Sequence, residues 1–159
     1  MRKLLLALPI AALVTLPVAA DAQMTAGPTL AWHADADFGV GVTVGGDADF
    51  LTEGAGWLGD FIWFFPPGDG VTYFEINAHA TFDFATSSTS VFPFLLAGPH
   101  LARTSVDGGG SSTKLGMNVG AGIDFNADRF RPSVGARFEI GGGKGFVVFA
   151  TLPFQGGGS

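Results

Sequence analysis

The chain has 159 residues, with 8 Lys or Arg against 14 Asp or Glu and a formal net charge of −6. This acidic balance argues against nucleic acid as a partner, and the lack of cysteine excludes a disulfide framework, a thiolate metal site and lipoprotein attachment. Only 14% of the residues are charged while 47% are hydrophobic, too few ionic side chains to clothe an ordinary water-facing surface.

Met1 to Ala22 reads as an export signal. Arg2 and Lys3 give a charged start, Leu4 to Ala19 an apolar centre, and Ala20-Asp21-Ala22 a small-x-small cleavage site. Pro9 and Pro17 interrupt the run and no stop-transfer charges follow, which fits a transmembrane helix poorly. Removal of 1–22 leaves 23–159 as one domain with 6 basic and 13 acidic residues, net −7. No later stretch is long and apolar enough to span a bilayer as a helix. Membrane residence therefore requires a closed barrel, the other structure that pairs every backbone group in lipid.

Thr29 to Gly45 alternates throughout: Leu30, Trp32, Ala34, Ala36, Phe38, Val40, Val42 and Val44 are apolar, with His33, Asp35, Asp37, Gly39, Gly41 and Thr43 between them. The stretch is either one long strand or a hairpin turning at Asp35 to Asp37. The hairpin brings the total to eight and satisfies the even strand number of single-chain barrels, at the cost of a first strand of about seven residues where a spanning strand needs about 9 to 11. Gly46 to Gly56 is a polar, acidic connection, and Trp57 to Phe65 is a strongly aromatic strand whose alternation is less clean. After the turn signal Pro66-Pro67-Gly68-Asp69-Gly70, a fourth strand sets Thr72, Phe74, Ile76, Ala78, Ala80, Phe82 and Phe84 on one side and Tyr73, Glu75, Asn77, His79, Thr81 and Asp83 on the other. Val91 to Val106 is the fifth strand, with Pro93 and Pro99 at odds with a smooth ladder.

The last third alternates most cleanly. Leu115, Met117, Val119, Ala121, Ile123 and Phe125 oppose Lys114, Gly116, Asn118, Gly120, Gly122 and Asp124. After Asn126 to Arg129 the phase changes, and Phe130, Pro132, Val134, Ala136, Phe138 and Ile140 oppose Arg131, Ser133, Gly135, Arg137 and Glu139. A Gly-Gly-Gly-Lys turn at 141–144 leads into Phe146, Val148, Ala150, Leu152 and Phe154. Period alone does not say which face meets which solvent, because a soluble barrel with a greasy cavity has the same alternation. Glycine decides: Gly116, Gly120, Gly122 and Gly135 share the polar side, and glycine suits a strand where something approaches closely, as in a narrow barrel interior. The polar face is therefore assigned to the lumen and the oily face to lipid.

The Pro93-Phe94-Leu95-Leu96-Ala97-Gly98 segment, the strand Asn118 to Phe125 and a terminal strand ending in an aromatic resemble the small outer-membrane β-barrel proteins, the porin-like group related to OmpX and the transmembrane part of OmpA. The likeness covers the chain after the signal and is strongest from Val91 to Phe154. It departs from the group in the tail Gln155 to Ser159, which continues past the aromatic. The resemblance implies an all-β, closed, antiparallel up-and-down barrel of eight strands in the outer membrane. Its implied partners are membrane lipids, lipopolysaccharide and the outer-membrane assembly machinery, with the protein acting as a monomer.

The expected lumen network is His33, Glu75, His79, Asp83, Arg103, Lys114, Asp124, Arg131, Arg137 and Glu139, and the expected lipid face includes Phe74, Phe82, Phe84, Val119, Ile123, Phe125, Phe138, Val148 and Phe154. Eight strands leave an interior just wide enough for side chains to fill, and buried charges need partners, so the expectation is a salt-bridged plug with a structural role in the envelope. A narrow ion or small-solute conductor is the alternative, since the same residue types line such routes; a soluble periplasmic ligand-binding barrel is a third. Catalysis is not expected: Glu75 and His79 are about 13 Å apart on one strand, and the serines of 87–90 lie in a turn. No cofactor or metal is expected; the repeated Asp-Ala-Asp-Phe at 35–38 and 47–50 does not match an EF-hand loop and reads as solvated turn acids. Trp32, Trp57, Trp63 and Tyr73 are candidate interfacial aromatics.

Overall fold

Strict alternation of side-chain character makes each segment an extended ribbon with two unlike faces, and such a ribbon is stable only when its backbone edges are paired. The computed structural model describes residues 24–88, 90–127, 130–141 and 145–155. It contains β1 (Met24–His33), β2 (Asp37–Asp47), β3 (Ala55–Phe64), β4 (Val71–Asp83), β5 (Val91–Val106), β6 (Ser111–Phe125), β7 (Ser133–Ile140), β8 (Phe146–Thr151) and the two-residue β9 (Phe154–Gln155). Each strand pairs antiparallel with the next, and β1 pairs both with β2 and with β8, so the sheet closes on itself as an eight-stranded up-and-down barrel. Segment 1–22, the mature start at Gln23, most of the turn at 141–144 and the last four residues of the tail lie outside the described residues.

The closing strands explain two departures from the expected elements. β1 begins at Met24 rather than Thr29 and has ten residues, because Met24 to Pro28 continue the ladder against Gly46 to Val42. The hairpin at Asp35 to Asp37 is therefore made without a short first strand, and Asp37 takes the turn's positive φ of 62°. The last strand is split at Leu152-Pro153, since Pro153 has no N–H to give the ladder. β9 nevertheless keeps the β8 register against β1, with Thr29 opposite Thr151 and Thr25 opposite Gln155. β7 likewise starts at Ser133, after Pro132, and Phe130 makes only isolated bridges to Ala127 and Phe154. Pro99 is absorbed without a slip: Asn77 opposite His100 and Ala80 opposite Ala97 are in one register.

The two faces are sharply different. On the outward face of the described strands Arg103 is the one charged residue. Val119, Ile123, Phe125, Phe138, Val148, Phe82, Phe84 and Phe154 are all exposed there, Phe138 to 59%. Phe74 is half-buried by its outward neighbours Phe61 and Trp63, with ring centroids 5.6 and 6.1 Å away. Tyr73, by contrast, points inward, with its ring 5.6 Å from His33, and is no interfacial aromatic.

The interior is not purely polar. Ile62, Phe64, Phe94, Leu96, Val147 and Phe149 are buried inside it, and the inward glycines make room for them. A Cβ on Gly39 would stand 2.7 Å from the Phe64 ring and 2.9 Å from Ile62, and one on Gly135 would stand 2.5 Å from the Phe149 ring. A Cβ on Gly122 would run into the Phe94 ring in the same way. Small residues opposite large ones let a narrow barrel fill its lumen. At Gly39 the obstructing atoms are side-chain atoms alone, which gives a clean test. Gly39→Ala should destabilise the barrel by about 1–3 kcal/mol, and adding Phe64→Leu should recover part of that loss. The coupling is read from a double-mutant cycle of urea unfolding followed by the gel mobility of the folded band.

Candidate functional site

The inward polar side chains fall into two groups, one at mid-barrel and the other at the end where the chain termini lie. At mid-barrel, β7 carries Arg137 inward with 1% of its surface exposed. Its Nη1 donates to Asp60 Oδ2 at 3.2 Å and its Nη2 to Glu75 Oε2 at 2.8 Å. β3 and β4 hold those two carboxylates from adjacent strands, where Asp60 is cross-strand partner to Asn77. Asn77 Nδ2 donates to Asp60 Oδ1 at 2.7 Å, and Asn118 Nδ2 lies 2.8 Å from Asn77 Oδ1 and 3.0 Å from His79 Nε2. On the outer side of Arg137, Tyr73 Oη donates to Glu75 Oε1 at 2.6 Å, and His33 Nε2 lies 3.4 Å from Glu139 Oε2 and 3.8 Å from Glu75 Oε1. The Arg137 guanidinium also sits 6.0 Å from the centre of the Phe149 ring.

At the terminal end, Arg131 from the β6–β7 connection meets three carboxylates: Asp83 at 2.5 Å, Asp124 at 3.1 Å and Asp47 at 3.3 Å. Between the two groups, hydroxyls pair across strands, Ser133 with Thr151 at 2.5 Å and Thr29 with Thr43. The lumen is thus crossed at two levels, by Arg137 and by Arg131.

Of the residues singled out in the sequence, His33, Glu75, His79, Arg137 and Glu139 come together at mid-barrel, and Asp83, Asp124 and Arg131 at the terminal end. Lys114 points inward but is exposed at the opposite mouth, where it lines a cavity with His33, Tyr73 and Glu139. Arg103 is a correction. It lies on the outward face, exposed, with Nη2 3.4 Å from Ser111 Oγ, because β5 buries its even positions Phe94, Leu96, His100 and Ala102. Near the end of the apolar belt such a side chain keeps its stem on the barrel and its head in a polar layer.

Sequence reasoning set Tyr73 and Asn118 on the inward face without naming them in the network, and missed Asp60 as a member and His100 as a buried neighbour of it. Asp60 was overlooked because aromatics occupy both faces of β3 and hide its phase; its place opposite Asn77 is set by the pairing of β3 with β4. Among the described residues, six buried side-chain atoms have no hydrogen-bond partner: His79 Nδ1, both ring nitrogens of His100, Asn118 Oδ1, Arg137 Nε and Glu139 Oε1. All belong to inward-facing residues, and no serine or threonine hydroxyl is bonded to His79 among the described residues, whose neighbours are Asn118 and Asp60.

No family model matches this chain, and no curated protein matches it. Solved structures do. The chain is similar to Neisserial surface protein A (TM-score 0.65, 19% identity, 85% of this chain and 97% of that one). It is similar too to the N-terminal β-barrel domain of Pseudomonas aeruginosa OprF (0.64, 17%, 84% and 98%) and to the attachment invasion locus protein of Yersinia pestis (0.50, 17%, 84% and 97%). At these identities the likeness is one of fold. It spans nearly the whole of each neighbour, so the barrel described here corresponds to a complete barrel there.

Removing the central cation tests the network. Arg137→Met leaves Asp60 and Glu75 buried without their partner and should cost about 3–5 kcal/mol, whereas the triple change with Asp60→Asn and Glu75→Gln should restore much of it. Arg103→Ala, on the outer face, should move stability by less than about 0.5 kcal/mol. Urea unfolding of the three variants in detergent micelles separates these outcomes.

Proposed function

We propose that the protein is an integral outer-membrane barrel whose lumen is closed by its own ion pairs and whose role is structural, in envelope integrity, without catalysis. The observation that carries this reading is the position of Arg137, buried across the axis and held by carboxylates from two other strands. A guanidinium so placed blocks a bore that side chains already nearly fill, and withdrawing it would strand two buried charges.

Membrane residence is supported by the outward belt, apolar along the described strands and charged there only at Arg103. A belt of this kind is what lipid requires and what water disfavours. The solved structures of similar fold are outer-membrane barrels, and export through segment 1–22 would bring the chain to that compartment, with lipids, lipopolysaccharide and the assembly machinery as partners. The connections away from the termini are short, with three residues between β1 and β2 and four between β5 and β6. Long recognition loops, the usual carriers of adhesion in such architectures, have little room there.

A second reading, a narrow ion or small-solute conductor, is favoured by the six unpartnered polar atoms. Buried polar groups of this kind are ordinarily satisfied by water, and a file of waters past His79, His100 and Asn118 would connect the central network to the lumen below. Planar-bilayer recording decides between them. The plug predicts a silent membrane after insertion of the folded protein and discrete steps only once Arg137 is replaced; steps from the wild type would favour the conductor. Recovery in the soluble periplasm without detergent would overturn membrane residence altogether, as would the lack of a fast-running folded band on an unboiled gel.

A further inference from the structure

Mid-barrel charge does not balance. Arg137 supplies one fixed positive charge against Asp60, Glu75 and Glu139, and His33 sits between the last two. Buried carboxylates in excess of the cations around them favour a further positive charge. Two candidates exist, a proton held in hydrogen bonds or a metal ion.

The spacing around His33 suits a metal ion better than a direct hydrogen bond. A charge-assisted N–H···O bond settles at about 2.7–2.9 Å, yet His33 Nε2 stands 3.4 Å from Glu139 Oε2 and 3.8 Å from Glu75 Oε1. Ligand atoms held about 2.0–2.1 Å from one ion at tetrahedral angles lie about 3.3–3.4 Å apart. The one-atom-per-residue set of His33, Glu75 and Glu139 falls within 4.8 Å throughout, with all three residues buried. A modest inward movement of Glu75 would complete the geometry.

Three further features belong to the same place. Glu139 Oε1 is buried without a partner, on a residue only 5% exposed, so the carboxylate has an unused lone pair in the site. Gly145 keeps the approach open, since a Cβ there would stand 2.5 Å from His33 Nε2 and 2.8 Å from Glu139 Oε2. Tyr73 Oη anchors Glu75 Oε1 at 2.6 Å, the kind of outer support that fixes a ligating carboxylate. A cavity of about 240 Å³, lined by His33, Tyr73, Lys114 and Glu139, leads from the mouth opposite the termini down to the cluster.

We infer that His33, Glu75 and Glu139 form a binding site for a divalent transition-metal ion of the zinc type, entered from that mouth, with a fourth position left to water. One imidazole and two carboxylates suit such an ion. In the metal-free arrangement His33 Nδ1 accepts the Asp35 N–H at 2.9 Å, so the ring proton is on Nε2. Binding at Nε2 moves the remaining proton to Nδ1, and Asp35 N–H must then give up its acceptor. Metal uptake is thereby coupled to a rearrangement of the β1–β2 turn. The inference is independent of whether the lumen conducts.

The experiment uses untagged, chelator-washed, full-length protein folded in detergent, with Zn²⁺ titrated calorimetrically and Co²⁺ followed by its visible spectrum. The expected result is one Zn²⁺ per barrel and the intense bands of tetrahedral Co²⁺. Both should be lost in His33→Ala and in Glu139→Gln and retained in Lys114→Ala. Tyr73→Phe should weaken binding about 10- to 100-fold. Folding of each variant is checked by its unboiled gel mobility. Should His33→Ala or Glu139→Gln not fold, the wild-type Co²⁺ spectrum and Tyr73→Phe still decide. No uptake by the wild type would overturn the site; octahedral Co²⁺ alone, or unchanged stoichiometry in the folded His33→Ala protein, would overturn it too and place the bound metal on surface acids such as Asp49 and Glu53.

Discussion

Pairing of the first strand with the last is the constraint on which this structure depends. An open sheet presents a row of bare N–H and C=O groups, which lipid cannot satisfy and which water would leave open to aggregation. β1 removes both edges by bonding to β2 on one side and to β8 and β9 on the other. The seam also carries Pro28 and Pro153, which both lack a donor. Register survives there because Leu152 N–H still reaches Pro28 O at 3.0 Å.

Closure fixes the size of the interior, and the interior then dictates chemistry. With so little room, bulk on one strand must be matched by its absence on another, which is the relation of Phe64 to Gly39 and of Phe149 to Gly135. The remaining space is spanned by charges, which are tolerable only in combination. Arg137 serves two carboxylates and Arg131 three. Glycine on the inner face is thus a packing device, and the arginines give the barrel its cross-links.

An acidic excess persists in this arrangement. Arg131 and Arg137 are each outnumbered by the carboxylates around them, and at mid-barrel the imbalance coincides with a histidine, a cavity and an unpartnered carboxylate oxygen. Evenly matched pairs would make a purely mechanical plug. The surplus gives the outer half of the lumen an affinity for positive charge that the inner packing alone does not require.

Two-residue periodicity was enough to obtain the later strands and the division into an oily and a polar-or-glycine face, because alternation is a local property that each strand displays by itself; the hairpin at Asp35 to Asp37 needed in addition the even strand number of single-chain barrels, since alternation runs unbroken from Thr29 to Gly45. The faces of the later strands, Val119 and Phe138 outward against Asn118 and Arg137 inward, follow from alternation alone. What periodicity could not supply was height and neighbour. That Arg137 meets Asp60 and Glu75, that His33 meets Glu139 across 106 residues of chain, and that Asp60 belongs inside at all are set by strand stagger and closure. Arg103 failed for the same reason: near a proline, with apolar residues on both sides of β5, local pattern gives no phase, and only pairing with β4 and β6 turns that side chain outward.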